Sequence, residues 1–243
     1  MAEKESKPSK LRINWRYATG EIAIVSIGIM LAFQLSSWNT NRNNRTTEKE
    51  SLQLLYNEVL QDSAILYQYF LQANLRKADA TAILKIVNEP NAVELIDSLS
   101  NSYRRCGFYS GNVLHRSAFA MMTAQGTINL VRDEPLKNAI YKYYDRTHKV
   151  VEIWNDFEKE LVDEVIPQLY TKGVIDDQKV LETNGLKIFY KPELFVAQLQ
   201  LDENRGRIAV YMRAQNEMIN VTNLNRRANK QVLDLLRQYL GEL

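Results

Sequence analysis

Residues 18–38 read ATGEIAIVSIGIMLAFQLSSW, and no other stretch limits the fold as strongly. From Ile22 to Phe33 no side chain is charged, and Ser26 is the one polar side chain. About 20 helical residues span roughly 30 Å, the thickness of a hydrocarbon core. Trp15 and Tyr17 lie on one flank and Trp38 on the other, the positions of interfacial aromatic anchors. The reading is a transmembrane helix over 18–38. A buried core helix is the plain alternative, but polarity and aromatics switch on both sides at once. A cleaved signal peptide would need a short apolar centre and a small-x-small site. Here the run is long, and Leu35-Ser36-Ser37-Trp38-Asn39 presents a bulky Trp, so an uncleaved signal anchor is expected.

Charge adds a direction. Lys4, Lys7, Lys10, Arg12 and Arg16 precede the run, while Arg42, Arg45 and Lys49 follow it closely. The positive-inside rule then favours a cytoplasmic N-terminus and an exported body. Beyond Trp38 basic and acidic residues balance, so the body has no electrostatic footprint for nucleic acid. The basic excess next to the apolar run suits anionic headgroups, and the lipid bilayer is the expected partner.

Within the run, Glu21, Val25, Gly28, Ala32 and Leu35 repeat at 4-3-4-3 spacing and share one stripe. Gly28-x-x-x-Ala32 lies at its centre. Small residues four apart let two backbones approach in lipid, where packing drives association. The stripe is the candidate face for a homo-oligomer or for other membrane proteins. Glu21 is either an ion-pathway or interhelical residue, or it reaches the interface and pairs with Arg16 or a neighbouring Lys.

The rest of the chain reads as helix. Only nine glycines and five prolines occur in 243 residues, which argues against a turn-rich β fold. Leu52, Leu55, Val59, Leu66, Tyr69, Ala73, Ala80, Ile83 and Val87 fall on one face of a helix over 46–88, interrupted by Asp62 and Arg76 and stopped by Pro90. Shorter helices fit 93–102 and 113–125, with a turn at 104–111 between them. Asp133-Glu134-Pro135 opens a helix over 134–170, whose face is Leu136, Ile140, Tyr143, Thr147, Val150, Trp154, Phe157, Leu161, Val165 and Leu169. Pro167 kinks or ends it. Residues 173–191 read as a loop or small hairpin, and 192–199 as a short helix. A last helix over 202–240 carries Ile208, Tyr211, Met218, Val221, Ala228, Val232, Leu235 and Tyr239, interrupted by Gln215 and Asn225. The expected fold is all-α: one N-terminal transmembrane helix followed by an elongated antiparallel helical bundle. A coiled-coil rod is the weaker alternative, because the heptads break. The expected domains are a basic tail (1–17), the transmembrane helix (18–38), a polar linker (39–45) and the helical bundle (46–243), although the long helix could also run on from the membrane segment.

Gly20-Glu-Ile22, Ile27-Gly-Ile29, Leu31-Ala32, Gln34 and Trp38-Asn39 together resemble the opening signature of a family of bacterial single-pass membrane proteins whose domain has no assigned function. A second likeness lies in Ser117-Ala-Phe119, Gln125-Gly126, Leu136 and Ile140-Tyr-Lys-Tyr143-Tyr144, with Gln125 standing where that family's pattern has a small polar residue. The resemblance implies a basic N-terminus, one membrane helix and a helical body. It implies no activity.

Chemistry-bearing motifs are sparse. There is no G-x-x-x-x-G-K-[ST], H-E-x-x-H or G-x-G-x-x-G. Cys106 is the single cysteine; it excludes an internal disulfide and stands nine residues from His115. Asp145, His148 and Glu152 are spaced to share a helix face, but no Glu-x-x-His accompanies them, and the expectation is a solvated stripe. Tyr141, Tyr143 and Tyr144 surround one helix turn, so they cannot all face the core; they either mark a contact surface or, the preferred expectation, lie at a bundle edge. Met121 and Met122 are expected to fill core gaps, and Arg226, Arg227 and Lys230 to form a solvated face. No catalytic residue, cofactor or metal is expected. The chain reads as a non-enzymatic structural or interaction subunit, self-associating or part of an envelope complex. The alternative is an envelope sensor or ligand-binding module that signals through a partner.

Overall fold

A computed structural model of the chain describes residues 15–107, 111, 113–165, 169, 172–185 and 187–242. The basic residues Lys4 to Arg12, the side chains of Trp15, Arg16, Tyr17 and Val165, positions 108–110 of the expected turn, and Pro167 lie outside this description.

The fold is all-α. Helix α1 spans Trp15–Ile86, α2 Ile96–Cys106 and α3 Ser117–Ala124. A 3₁₀ turn covers Thr127–Leu130. Helix α4 (Glu134–Lys142) passes through a π turn, Tyr143–Thr147, into α5 (His148–Val165). Then come α6 (Asp177–Glu182), α7 (Pro192–Gln200) and α8 (Asp202–Glu242). An isolated antiparallel bridge joins Ile175 and Tyr190, so the expected loop at 173–191 holds a short helix and a single bridge.

Two compact units are present, Met1–Glu48 and Lys49–Leu243, and α1 contributes to both. In the first unit, helix α1 is long and apolar enough to cross a membrane, and none of its apolar window is buried. The expected linker at 39–45 is helical. The reason is local: no glycine or proline occurs between Gly28 and Pro90. Thr40 and Thr46 hydroxyls also turn back onto the carbonyls of Ser36 and Arg42, at 3.0 and 3.3 Å.

In the second unit α1 and α8 pair antiparallel. Arg237 reaches Tyr56, Asn229 reaches Val59, Lys77 reaches Asn216 and Thr81 reaches Met212, so the register runs backward along α8 as it runs forward along α1. The α4–α5 segment follows α1 in the same sense, with Tyr144 at Glu58, Asn155 at Tyr69 and Glu158 at Arg76. Residues 87–133 make the return path.

Apolar residues gather in two main cores. One joins Leu52, Leu55 and Val59 to Phe119, Met122, Leu136, Ile140 and the α8 residues Val232 and Leu236. The other joins Ala80 and Ile83 to Leu99, Tyr103, Phe195, Leu199 and Ile208. In this second core Tyr103 meets Phe195 edge-on at 5.4 Å, and Tyr190 stacks on Phe195 at 4.3 Å. Each fully buried Leu, Ile or Phe contributes about 1.5–3 kcal/mol relative to exposure.

The π turn alters which side chains face inward. Tyr143 and Tyr144 are adjacent, yet both are 1 % exposed, while Tyr141 is 40 % exposed. The expectation that the tyrosines lie at an edge holds only for Tyr141. The wider π turn inserts an extra residue into the helical repeat. It brings both rings to the core and shifts the inward face downstream, so Val151 and Glu158 are buried while Phe157 is exposed. Met121 is likewise exposed, and of the two methionines only Met122 fills the core.

Candidate functional site

Two carboxylates one turn apart on α1, Glu58 and Asp62, organise the polar heart of the second unit. Both are buried, Asp62 completely. Glu58 accepts hydrogen bonds from the Ser117 hydroxyl (2.8 Å), the Ala118 amide (2.6 Å) and the Tyr144 hydroxyl (2.7 Å). The first amides of any helix lack intrahelical acceptors. Helix α3 begins after Arg116, whose side chain makes no capping bond, so Glu58 of α1 caps it from outside. The α4 start is self-contained: Asp133 accepts from the Leu136 amide at 2.9 Å, as its Asp-Glu-Pro start implies.

Asp62 accepts from the His115 amide (2.8 Å) and the Tyr143 hydroxyl (2.9 Å), and its Oδ1 lies 3.0 Å from His115 Nδ1. Asn229 of α8 donates to the Val59 carbonyl at 2.8 Å and to the Tyr143 oxygen at 3.2 Å. Tyr144 stacks between Phe119 (4.2 Å, 3°) and the His148 ring (5.0 Å, 27°). Burial, with the neighbouring carboxylates, pushes both tyrosine hydroxyls far above their ordinary pKa. They serve as fixed donors.

His148 differs from its neighbours. Its Nε2 is buried without a hydrogen-bond partner, 4.0 Å from Asp62 Oδ2. Burial lowers its pKa below the usual histidine value; Arg116 lowers it further, and Asp62, Glu58 and Glu152 only partly oppose this. The folded state therefore holds the ring neutral, while the unfolded chain takes up a proton near pH 6.5. Protonation favours the unfolded chain, so this contribution is complete above about pH 6.5 and is lost as pH falls toward the depressed folded value. Replacing His148 by Gln should flatten the drop in urea midpoint between about pH 7 and pH 5 relative to the parent. Parallel pH profiles for the two proteins would contradict the assignment.

A second polar layer lies further along α1. Arg76 pairs with Glu158 of α5, both buried. Asp79 accepts from Arg105 Nε at 2.7 Å, which raises the guanidinium pKa. The Cys106 thiol donates to the Arg76 carbonyl at 3.8 Å, and burial pushes its pKa up to about 12. A thiol held so firmly protonated is a poor nucleophile near neutral pH.

Sequence candidates map onto this frame unevenly. Glu21, Val25, Gly28, Ala32 and Leu35 all lie exposed on α1, and a Cβ built at Gly28 would meet no atom within 4 Å. Trp38 is exposed, with the Arg42 guanidinium 6.0 Å from its ring centroid. Cys106 and His115 part company, the first beside Arg76 and the second on Asp62. Asp145 and Glu152 are exposed while His148 is buried, so the three do not form the expected solvated stripe. Arg226 is not simply solvated, since its guanidinium lies 5.3 and 5.0 Å from the Tyr67 and Phe70 ring centroids. Among the described residues no group of three or more His, Cys, Asp or Glu could hold a metal ion. Glu58 and Asn229 were not singled out from the sequence, and Ser117 entered only through the family likeness. The available signal was Asp62 interrupting an otherwise apolar stripe, with a second acid one turn before it.

No family model, curated protein or solved structure matches this chain.

Proposed function

We propose that this protein is a membrane-anchored helical protein that acts as a structural or interaction subunit, self-associating or joining other membrane proteins. One observation carries the reading: an apolar helical segment long enough to span a bilayer has no buried residue in its apolar window. Ile24, Ile29 and Phe33 are 73, 65 and 72 % exposed. A patch of that kind in water is an association or membrane surface. Lipid satisfies the segment as a whole, and the Gly28/Ala32 stripe gives a second helix a place of close approach.

In this reading residues 18–38 span the bacterial inner membrane as an uncleaved anchor, with the basic N-terminus cytoplasmic and the helical body periplasmic. The likeness of the membrane segment to the single-pass family supports the same layout. Cross-linking in native membranes tests the association: Gly28→Leu is expected to reduce the oligomeric product about fivefold or more, on a contact worth about 1–2 kcal/mol. An unchanged oligomer would remove the stripe as its face. Protease treatment of intact and opened cells tests sidedness, because a periplasmic body is cut only after the outer barrier is breached.

A further inference from the structure

A groove of about 500 Å³ lies between the α4–π-turn segment and α8. Three cations line it, Lys142, Arg146 and Arg227, with the amides Asn138, Asn225 and Gln231. No carboxylate belongs to the wall. All three cations are exposed, and among the described residues none of them is in an ion pair. In a body whose charges balance as a whole, this is a concave site with locally uncompensated positive charge, and a concavity focuses that potential. Arginine forks match phosphate and carboxylate oxygens two at a time, and neutral amides fix a ligand's orientation. Asn225 among them is only 7 % exposed. Ala139, Leu224 and Val232 give the groove an apolar side as well. A site with both faces, of this volume, suits a phosphate carried on an organic group.

We propose that this groove binds a phosphate-bearing ligand, with Arg146 and Arg227 on the phosphate and Lys142 adding charge. The phosphate belongs either to a soluble small molecule or to a lipid headgroup; the recognition chemistry is the same. The site stands whether or not the N-terminal helix spans a membrane. Tyr143 lines the groove and also donates to Asp62, so a bound ligand touches the buried network directly.

The test uses the full chain in nonionic detergent, titrated calorimetrically with inorganic pyrophosphate and, separately, with dihexanoylphosphatidylglycerol against dihexanoylphosphatidylcholine. Saturable binding of pyrophosphate is expected for a soluble ligand, and of the glycerol lipid alone for a headgroup. In either case Arg146→Gln and Arg227→Gln should each weaken binding about tenfold or more, the loss expected for a charged hydrogen-bonding partner. Lys137→Gln removes the same charge outside the groove, where Lys137 pairs with Glu134, and should leave binding within about twofold. Circular dichroism checks folding, and Lys142→Gln replaces either arginine variant that fails it. Two results overturn the proposal: neither probe saturates, or Lys137→Gln weakens binding as much as the groove variants do.

Discussion

Replacing Glu58 by alanine is expected to destabilise the second unit by about 3–5 kcal/mol. The side chain is 5 % exposed, and its loss leaves the Ser117 hydroxyl, the Ala118 amide and the Tyr144 hydroxyl without an acceptor at once. Ser117 is exposed and its hydroxyl can turn to water, but the Ala118 and Tyr144 donors are buried, and each costs about 1–3 kcal/mol when orphaned, with loss of a helix cap adding about 1 kcal/mol. The apparent melting point should fall by about 6–20 °C at this chain length. Ser117→Ala removes one donor together with its need for an acceptor, and should cost only about 1 kcal/mol. Hydrogen exchange gives the readout specific to capping: amides of Ser117–Ala124 should lose protection before those of α8. If Glu58→Ala unfolds within 0.5 kcal/mol of the parent, a rough threshold for a surface change, the carboxylate is not holding α3.

Arg76→Met is expected to be comparably severe, at about 3–5 kcal/mol, because it strands Glu158 as a buried charge. Glu158 is 2 % exposed and Arg76 8 %. The double variant Arg76→Met/Glu158→Leu should recover most of that loss, since an apolar pair of similar volume avoids desolvating either charge. Urea unfolding of the parent, both single variants and the double closes the cycle. A double variant as unstable as Arg76→Met would mean that the pair's role is packing rather than charge compensation.

The apolar face of α1 was fully legible. All nine residues assigned to it, Leu52 through Val87, are buried. Periodicity works there because a straight helix keeps its phase and most of its inward side chains are apolar. On the next long segment the same approach was right at Tyr143, Thr147, Leu161 and Leu169, which are buried, but lost phase in the middle of α5. It placed Val150, Trp154 and Phe157 inward, whereas past the π turn Val151 and Glu158 are the buried residues. Nothing in a hydrophobic pattern marks an i+5 turn, although the adjacent pair Tyr143–Tyr144 was a clue once both rings required burial. On α8 the inward row includes Gln215, Thr222, Asn225 and Asn229. A search for apolar repeats passes over such residues, so Asn229, which bonds the Val59 carbonyl and the Tyr143 hydroxyl beside Asp62, went unread. The groove went unseen for the same reason: Arg146 and Arg227 lie 81 residues apart in sequence, and only the pairing of α4 with α8 brings them to one wall.

The pairing of α1 with α8 also sets the order in which the body matures during synthesis. The apolar face of α1 emerges from the ribosome well before its antiparallel cover, α8, which is 41 residues long. Contacts such as Asn229 to Val59 close loops of 170 residues, unusually long for a helical fold, and long closures slow the final step. Until that closing segment arrives, the nascent polypeptide displays greasy surface that chaperones must shield, and a transcript truncated before codon 202 would yield a product marked for degradation.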